Sequence, residues 1–354
     1  MSTIHREMSD EDIAGMVADL KQWPSMAHDN GEYELAVMPF ITFYFTYAPD
    51  RGLETSLAMI DIHEDFERLL GYPYKVQTHP DSERPHPYGS KRLGDLPAWA
   101  RKTRLDQHFV FNVTNEKNHR SSPTNAGYFW RCAHRSWSLG NYSYIQFYYR
   151  WQWWQNNQDA WRRFVQRTIE RLRPEQVYSG FAMANPLEFG TRSEVSVWDR
   201  ALTPHFHGLD TDYPFGMHGG PDLPAGLRPP TWGFFLSDIW REKLGIDRQA
   251  VRAALDDPRV RIDDLNCGQW IELGPRPELY PAEEGVPELP VLLNRLLRPL
   301  RHTRLDLLGF GEWDGDPNER FNMHDSQRWL ARFDEDSDWP SAAQRSRESG
   351  TPTR

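Results

Sequence analysis

The chain has 354 residues, a formal net charge of −10 and a pI near 5.7. That length supports one large domain or two ordinary ones with a substantial core, and the acidic balance argues against a general nucleic-acid binder, whose affinity depends on clustered Lys and Arg. With two cysteines, Cys132 and Cys267, a polar start from Met1 to Asp12 and no run approaching the roughly 20 apolar residues of a membrane span, the sequence reads as a cytoplasmic protein whose thiols are small buried hydrophobes.

The first strong element is a strand over Leu35–Tyr47, where Leu35, Val37, Ile41, Phe43 and Phe45 alternate at period two. Leu53, Leu57 and Ile60, then Ile62, Phe66, Leu69 and Leu70, predict a helix that Gly71 and Pro73 stop. The Pro-, His- and Ser-rich stretch from Pro73 to Gly94 reads as a loop. Three β-like runs follow as an antiparallel meander: Phe109–Thr114, Gly127–His134 and Tyr142–Trp154. In the third, Ile145, Phe147, Tyr149, Trp151 and Trp153 make a core face, and Tyr144, Gln146, Tyr148, Arg150 and Gln152 a semi-polar one. Trp161, Phe164, Val165, Ile169 and Leu172 mark an amphipathic helix, and Val177–Ala184 a further strand.

Residues 185–230 are punctuated by Gly and Pro, with a short helix expected around Ser193–Leu202. Trp232, Phe235, Ile239 and Leu244 then suggest a helix closed by Gly245, and Asp247–Leu255 a second. Val260–Gly274 is strand-like. Leu289, Leu292, Leu293, Leu296, Leu297 and Leu300 form the cleanest amphipathic helix, begun near Pro287.

These elements predict an α+β fold of antiparallel sheet with packed helices, arranged as a single unit or as two lobes. The expected divisions are an N-terminal segment 1–32, a lobe 33–184 carrying the meander, an irregular connection 185–230, a second lobe 231–338 and a disordered tail 339–354.

Charge is distributed unevenly. Between Asp256 and Glu288 nine acidic residues stand against three arginines, a local balance of −6. Arg162, Arg163, Arg167, Arg171 and Arg173, by contrast, make one helix basic. The sharpest metal-like string is His205-Phe206-His207-Gly208-Leu209-Asp210, with His218 as a further donor, and a metal-dependent hydrolase using His205, His207 and Asp210 is the alternative enzymatic reading. A loop of hydrogen-bonded or exposed histidines is the plainer account. Asp314–Glu319 reads as an acidic turn, since its Pro317 and spacing depart from a calcium loop. No GxGxxG, GxxxxGK[ST], GxSxG or HExxH occurs. We therefore expect no catalytic residues, no metal and no cofactor, and a protein-binding role.

Several short motifs occur in a telling order: Phe206-His207-Gly208-Leu209-Asp210, Gly226-Leu227-Arg228-Pro229-Pro230-Thr231-Trp232-Gly233-Phe234-Phe235-Leu236-Ser237-Asp238, Leu273-Gly274-Pro275-Arg276-Pro277, Leu296-Leu297-Arg298-Pro299-Leu300-Arg301 and Trp329-Leu330-Ala331-Arg332-Phe333-Asp334. The succession resembles the type VI secretion immunity proteins associated with VRR-type nuclease effectors, over most of residues 33–334. The stretch Asn266-Cys267-Gly268-Gln269-Trp270-Ile271 departs from the pattern. The resemblance implies a partner, a cognate type VI effector with a nuclease domain, and a function, neutralising that toxin by occluding its active site. It carries no catalytic residue to transfer. From the charge distribution, the expected contributors to partner binding are Asp256, Asp257, Asp263, Asp264, Glu283 and Glu284, facing an electropositive nuclease cleft. A structural component of the secretion apparatus is a third reading, separated from the first by the identity of the partner.

Overall fold

The computed structural model describes residues 9–29, 34–82, 84–133, 142–211, 214, 223–303, 305 and 323–340. Within the expected N-terminal segment, helix α1 (Asp10–Gln22) opens on a capping box. Ser9 Oγ accepts from the Asp12 amide at 3.1 Å while the Asp12 carboxylate accepts from the Ser9 amide. Its buried Ile13, Met16, Val17 and Leu20 recur at helical spacing. After β1 (Ala27–Asp29) comes β2 (Glu34–Phe45), buried from Leu35 onward. Helix α2 (Gly52–Leu70) ends where Gly71 takes a left-handed φ of 77°.

The stretch expected as a loop after Pro73 holds a small hairpin, β3 (Val76–Thr78) and β4 (Pro85–Pro87), before α3 (Leu96–Lys102). Pro85 and Pro87 lie on the outermost strand, where a missing amide donor is tolerated. Strands β5 (Phe109–Thr114), β6 (Ala126–Arg131) and β7 (Ser143–Tyr148) form the meander, but the third strand stops short of Trp154. Residues Trp151–Asn156 are instead helix α4. Trp151 and Trp154, one turn apart, are both buried and stack at 5.0 Å, while Gln152 is exposed. Burial at three-residue spacing wins over the alternation that aromatic residues suggest.

Helix α5 (Gln158–Leu172) and strand β8 (Gln176–Met183) follow as expected, then α6 (Phe189–Leu202) and β9 (Leu209–Asp210). The helix expected from Trp232 to Leu244 is split into strand β10 (Gly233–Ser237) and helix α7 (Asp238–Lys243). Phe234, Phe235 and Leu236 are buried on both faces of the sheet, and Ile239, which the helical stripe would have buried, is 49% exposed. After α8 (Arg248–Ala254), the strand-like Val260–Gly274 is a hairpin, β11 (Val260–Leu265) and β12 (Gly268–Leu273). Helix α9 (Glu288–Leu297) starts after Pro287, and α10 (Met323–Leu330) closes the described fold. Trp339 is buried; residues 341–354 of the expected tail, His218 and the acidic string Asp314–Glu319 lie outside the described residues.

Among the described residues, twelve strands form one sheet in the order β11-β12-β10-β8-β2-β7-β6-β5-β3-β4, with β1 on β2 and β9 parallel to β8. The sheet thus runs without interruption through strands from both expected lobes. One face is aromatic and aliphatic: Ile41, Phe43, Ile145, Phe147 and Phe129 lie in register under Phe66 of α2 and Phe164 of α5, whose rings meet Phe147 at 4.2 and 5.7 Å. The other face, semi-polar in sequence, is equally buried. Gln146 Nε2 donates to Thr42 Oγ1 at 3.1 Å, Tyr178 donates to Gln176 Oε1 at 2.6 Å, and Gln176 Nε2 donates to the carbonyls of Leu223 and Gly226 at 3.1 Å. The irregular connection therefore supplies backbone acceptors that let the Gln176 amide be buried with its donors satisfied.

Candidate partner-binding face

The acidic segment lies at the β11 end of the sheet and on the elements around it. Asp256 and Asp257 occupy the turn between α8 and β11, Asp263 and Asp264 sit on β11 itself, and Glu283 and Glu284 sit on a single 3-10 turn, Ala282–Glu284, ahead of α9. The structure does not gather the six into one patch. Successive side chains of a strand point to opposite faces, so Asp263 meets Arg261 and Gln166 of α5 at 3.0 and 3.2 Å, whereas Asp264 meets Arg252 of α8 at 2.9 Å.

Most of these carboxylates are compensated internally. Arg259 bridges Asp257 and Glu288 at 2.8 and 2.9 Å, Arg276 pairs with Glu278 at 3.4 Å, and Lys21 at the end of α1 reaches Glu283 at 2.5 Å. Hydrogen bonds from Arg259 hold the Asp257 carboxyl down at about 2, and those from Arg252 and Lys21 lower Asp264 and Glu283. Asp256 and Glu284 are exposed and make no ion pair with a described residue.

Beside these residues the surface is concave. Two adjoining hollows of about 380 and 460 Å³ share Arg259, Val286, Glu288 and Leu289, so together they form one trough between the β12–α9 connection and α9. Its wall is stiff. Pro275, Pro281 and Pro287 restrict the connection, and Gly274 and Gly285 adopt φ of 94° and 93°, which other residues rarely take. The wall is also pinned from behind: the amides of His207 and Gly208 donate to the carbonyls of Tyr280 and Leu279 at 2.9 and 2.7 Å. A side chain at Gly208 would start 2.1 Å from the Glu278 carbonyl oxygen, so only glycine allows this approach.

The hydrolase alternative is not supported by the geometry. Asp210 is buried and paired with Arg228 at 2.6 Å, its other oxygen accepting from the Thr211 amide at 2.9 Å. His207 is buried beneath Arg332, which donates to the His207 carbonyl at 3.0 Å; burial, aided by the Arg332 charge, lowers the imidazole to about 4. No group of three or more His, Cys, Asp or Glu capable of holding a metal forms among the described residues. The string is instead a buried charged seam that joins the α6–β9 region to the residues after α10.

The sequence profile of the TsiV family, type VI immunity for VRR-NUC, matches residues 78–333. The chain belongs to this family. The match runs from the end of β3 past α10, so it takes in both the trough and the buried seam. The solved structure of the Pseudomonas aeruginosa T6SS protein PA0821 has the same fold, with a TM-score of 0.74, 21% sequence identity and 94% of each chain covered. No curated protein matches the sequence. No helix among the described residues is long and apolar enough to cross a membrane. In this TsiV-family chain the feature that sequence reasoning missed is Val286, an apolar residue left 41% exposed at the crest between the two hollows. Its neighbours Gly285 and Pro287 were the available signal, since they take the backbone out of helix and strand just there.

Proposed function

We propose that this chain neutralises the nuclease domain of a cognate type VI effector by binding over its active cleft in the cytoplasm, without chemistry of its own. Membership in a family of type VI immunity for VRR-NUC carries this reading. A nuclease must hold a polyanion, so its cleft collects Lys and Arg. An inhibitor of net charge −10 is attracted to such a surface at long range, and a tight complex then excludes the nucleic acid sterically. Complete protection calls for nanomolar affinity or better, on the order of −12 kcal/mol. The acidic residues of the 256–288 segment are the proposed contributors.

The purified chain, mixed with the effector's nuclease domain, is expected to give a 1:1 complex and to abolish DNA cleavage at one equivalent. Co-expression is expected to restore growth to cells producing the effector. Free nuclease at stoichiometric chain, together with unrelieved toxicity, would sink the reading.

A further inference from the structure

We propose that the nuclease docks on the trough beside α9, with Val286 as its apolar anchor and Glu284 as the carboxylate that receives a basic side chain of the nuclease. The inference rests on the reading above that the partner is a VRR-NUC domain, and it specifies where and how the contact is made.

Three observations carry it. The first is the position of the exposed apolar surface. The large apolar side chains left exposed among the described residues are Trp23, Leu53, Tyr72, Leu105, Ile239 and Val286. Of these, Val286 lines both hollows. Interfaces pair an apolar centre with a polar rim and bury that centre against the partner, and Val286 is the exposed apolar residue set in this concavity.

The second is the state of the charges. Glu278, Glu283 and Glu288 hold internal partners, so a cation arriving at them must displace an arginine or a lysine. Glu284, exposed and lining the larger hollow, makes no ion pair with a described residue. A Lys or Arg entering the trough can therefore pair with Glu284 directly while its aliphatic stem lies on Val286 and the proline wall. That chemistry suits a nuclease, whose cleft presents basic side chains to phosphate.

The third is preorganisation. The wall is fixed by Pro275, Pro281 and Pro287 and by the backbone bonds from His207 and Gly208, and the 3-10 turn below Glu284 is closed by the Glu284 amide donating to the Pro281 carbonyl at 3.0 Å. A receptor surface already in its bound shape loses little conformational entropy on association.

The test uses the full chain and the purified VRR-NUC domain of its effector, with Kd from biolayer interferometry at low and high salt, cleavage inhibition, and sedimentation of the chain alone. Val286→Asp is expected to weaken binding by about thirtyfold or more, because the complex would bury a carboxylate in the apolar centre of the contact, and Glu284→Arg by about tenfold or more, with a shallower salt dependence. Asp50→Arg, an exposed charge reversal ahead of α2, is expected to leave Kd within about twofold. Circular dichroism melts verify that each variant folds. Wild-type binding with all three variants within about twofold overturns the proposed surface and leaves the partner reading standing. Absence of wild-type binding overturns the partner reading itself. Self-association of the chain that Val286→Asp abolishes, with nuclease affinity unchanged, shows that a second copy occupies the trough and also overturns the proposal.

Discussion

Arg162 of α5 and Glu272 of β12 form the pair whose loss should be most informative. Arg162 Nε lies 3.0 Å from both carboxylate oxygens and Nη2 lies 2.9 Å from Oε2, while Trp270 Nε1 donates to Oε1 at 3.1 Å. The Glu272 side chain is 1% exposed and that of Arg162 16%. Arg162→Met keeps most of the aliphatic stem and strands a buried carboxylate with one neutral donor. Removing one partner of a buried pair costs about 3–5 kcal/mol. Since the arginine sits where water can reach, we expect about 3 kcal/mol, the lower end of that range. Glu272→Leu leaves the arginine close to Asp159, 3.4 Å away, and should cost about 1 kcal/mol. The double variant buries no charge and should fall within about 1 kcal/mol of wild type, a coupling of about 4 kcal/mol. Urea unfolding followed by the fluorescence of the chain's fifteen tryptophans measures each cost as a change in global stability. A cost below about 1 kcal/mol for Arg162→Met, or additive single variants, would refute the argument. The pair also bears on binding, since β12 leads straight into the trough wall at Gly274.

Three further outcomes are expected. His63 is 2% exposed among Tyr74, Tyr88, Phe111 and Phe129, and burial lowers it from 6.5 to about 4. The unfolded chain takes up a proton that the folded chain refuses, so this contribution is complete above pH 6.5 and is lost as pH falls toward 4, reaching about 3 kcal/mol. His63→Phe should flatten that part of the curve in urea titrations at several pH values; an unchanged slope would count against it. Gly208→Ala places a Cβ against two backbone carbonyl oxygens, at 2.1 and 2.9 Å, which cannot yield cheaply. It should cost about 3 kcal/mol in thermal melts and weaken effector binding by shifting Glu278–Tyr280. Asp210→Asn should destabilise by about 3 kcal/mol because it removes the buried carboxylate charge 2.6 Å from Arg228, and added zinc should leave the wild-type melting temperature unchanged; a zinc-dependent rise that the variant loses would revive a metal role.

Elements whose burial follows one simple period were legible from sequence: β2, α5 and α9 stand where alternation or helical spacing puts them. The misreadings have physical causes. Tyr144 to Trp154 alternates well enough to suit a strand, yet Trp151 and Trp154 find their core neighbours only by stacking across a helical turn. Phe234, Phe235 and Leu236 carry no period because both faces of β10 are covered. In the site, the acidic excess of 256–288 was visible as composition, but its compensation was not. Lys21 and Glu283 lie far apart in sequence, as do Gln166 and Asp263, so which carboxylate stays unpaired emerges only from the fold. Val286 illustrates the same limit: Gly285 and Pro287 mark a break in regular structure there, but they do not tell whether the apolar residue between them is exposed or covered.

Internal pairing changes what the acidity can do for a nuclease inhibitor. A bare acidic face would attract any basic surface, including those of unrelated nucleic-acid-binding proteins. Here the net charge of −10 supplies attraction at a distance, where individual pairs are not resolved. At contact, the trough presents ion pairs, as Arg259 and Arg276 lie among the carboxylates they neutralise. A basic residue approaching Asp257, Glu278, Glu283 or Glu288 meets the arginine or lysine already paired there, and like-charge juxtaposition of that kind is costly. On the proposed docking surface, this arrangement would reject generic basic surfaces while accepting one that places a single cation at Glu284 and apolar surface on Val286. Specificity of this sort needs an opposing element as well as an attractive one. Arg259→Gln tests which role the arginine plays: discrimination should fall, with weak binding gained to non-cognate basic nucleases and little loss of cognate affinity. If cognate affinity instead drops by about tenfold or more and non-cognate binding stays undetectable, Arg259 serves the cognate contact and the argument for selectivity through internal pairing fails.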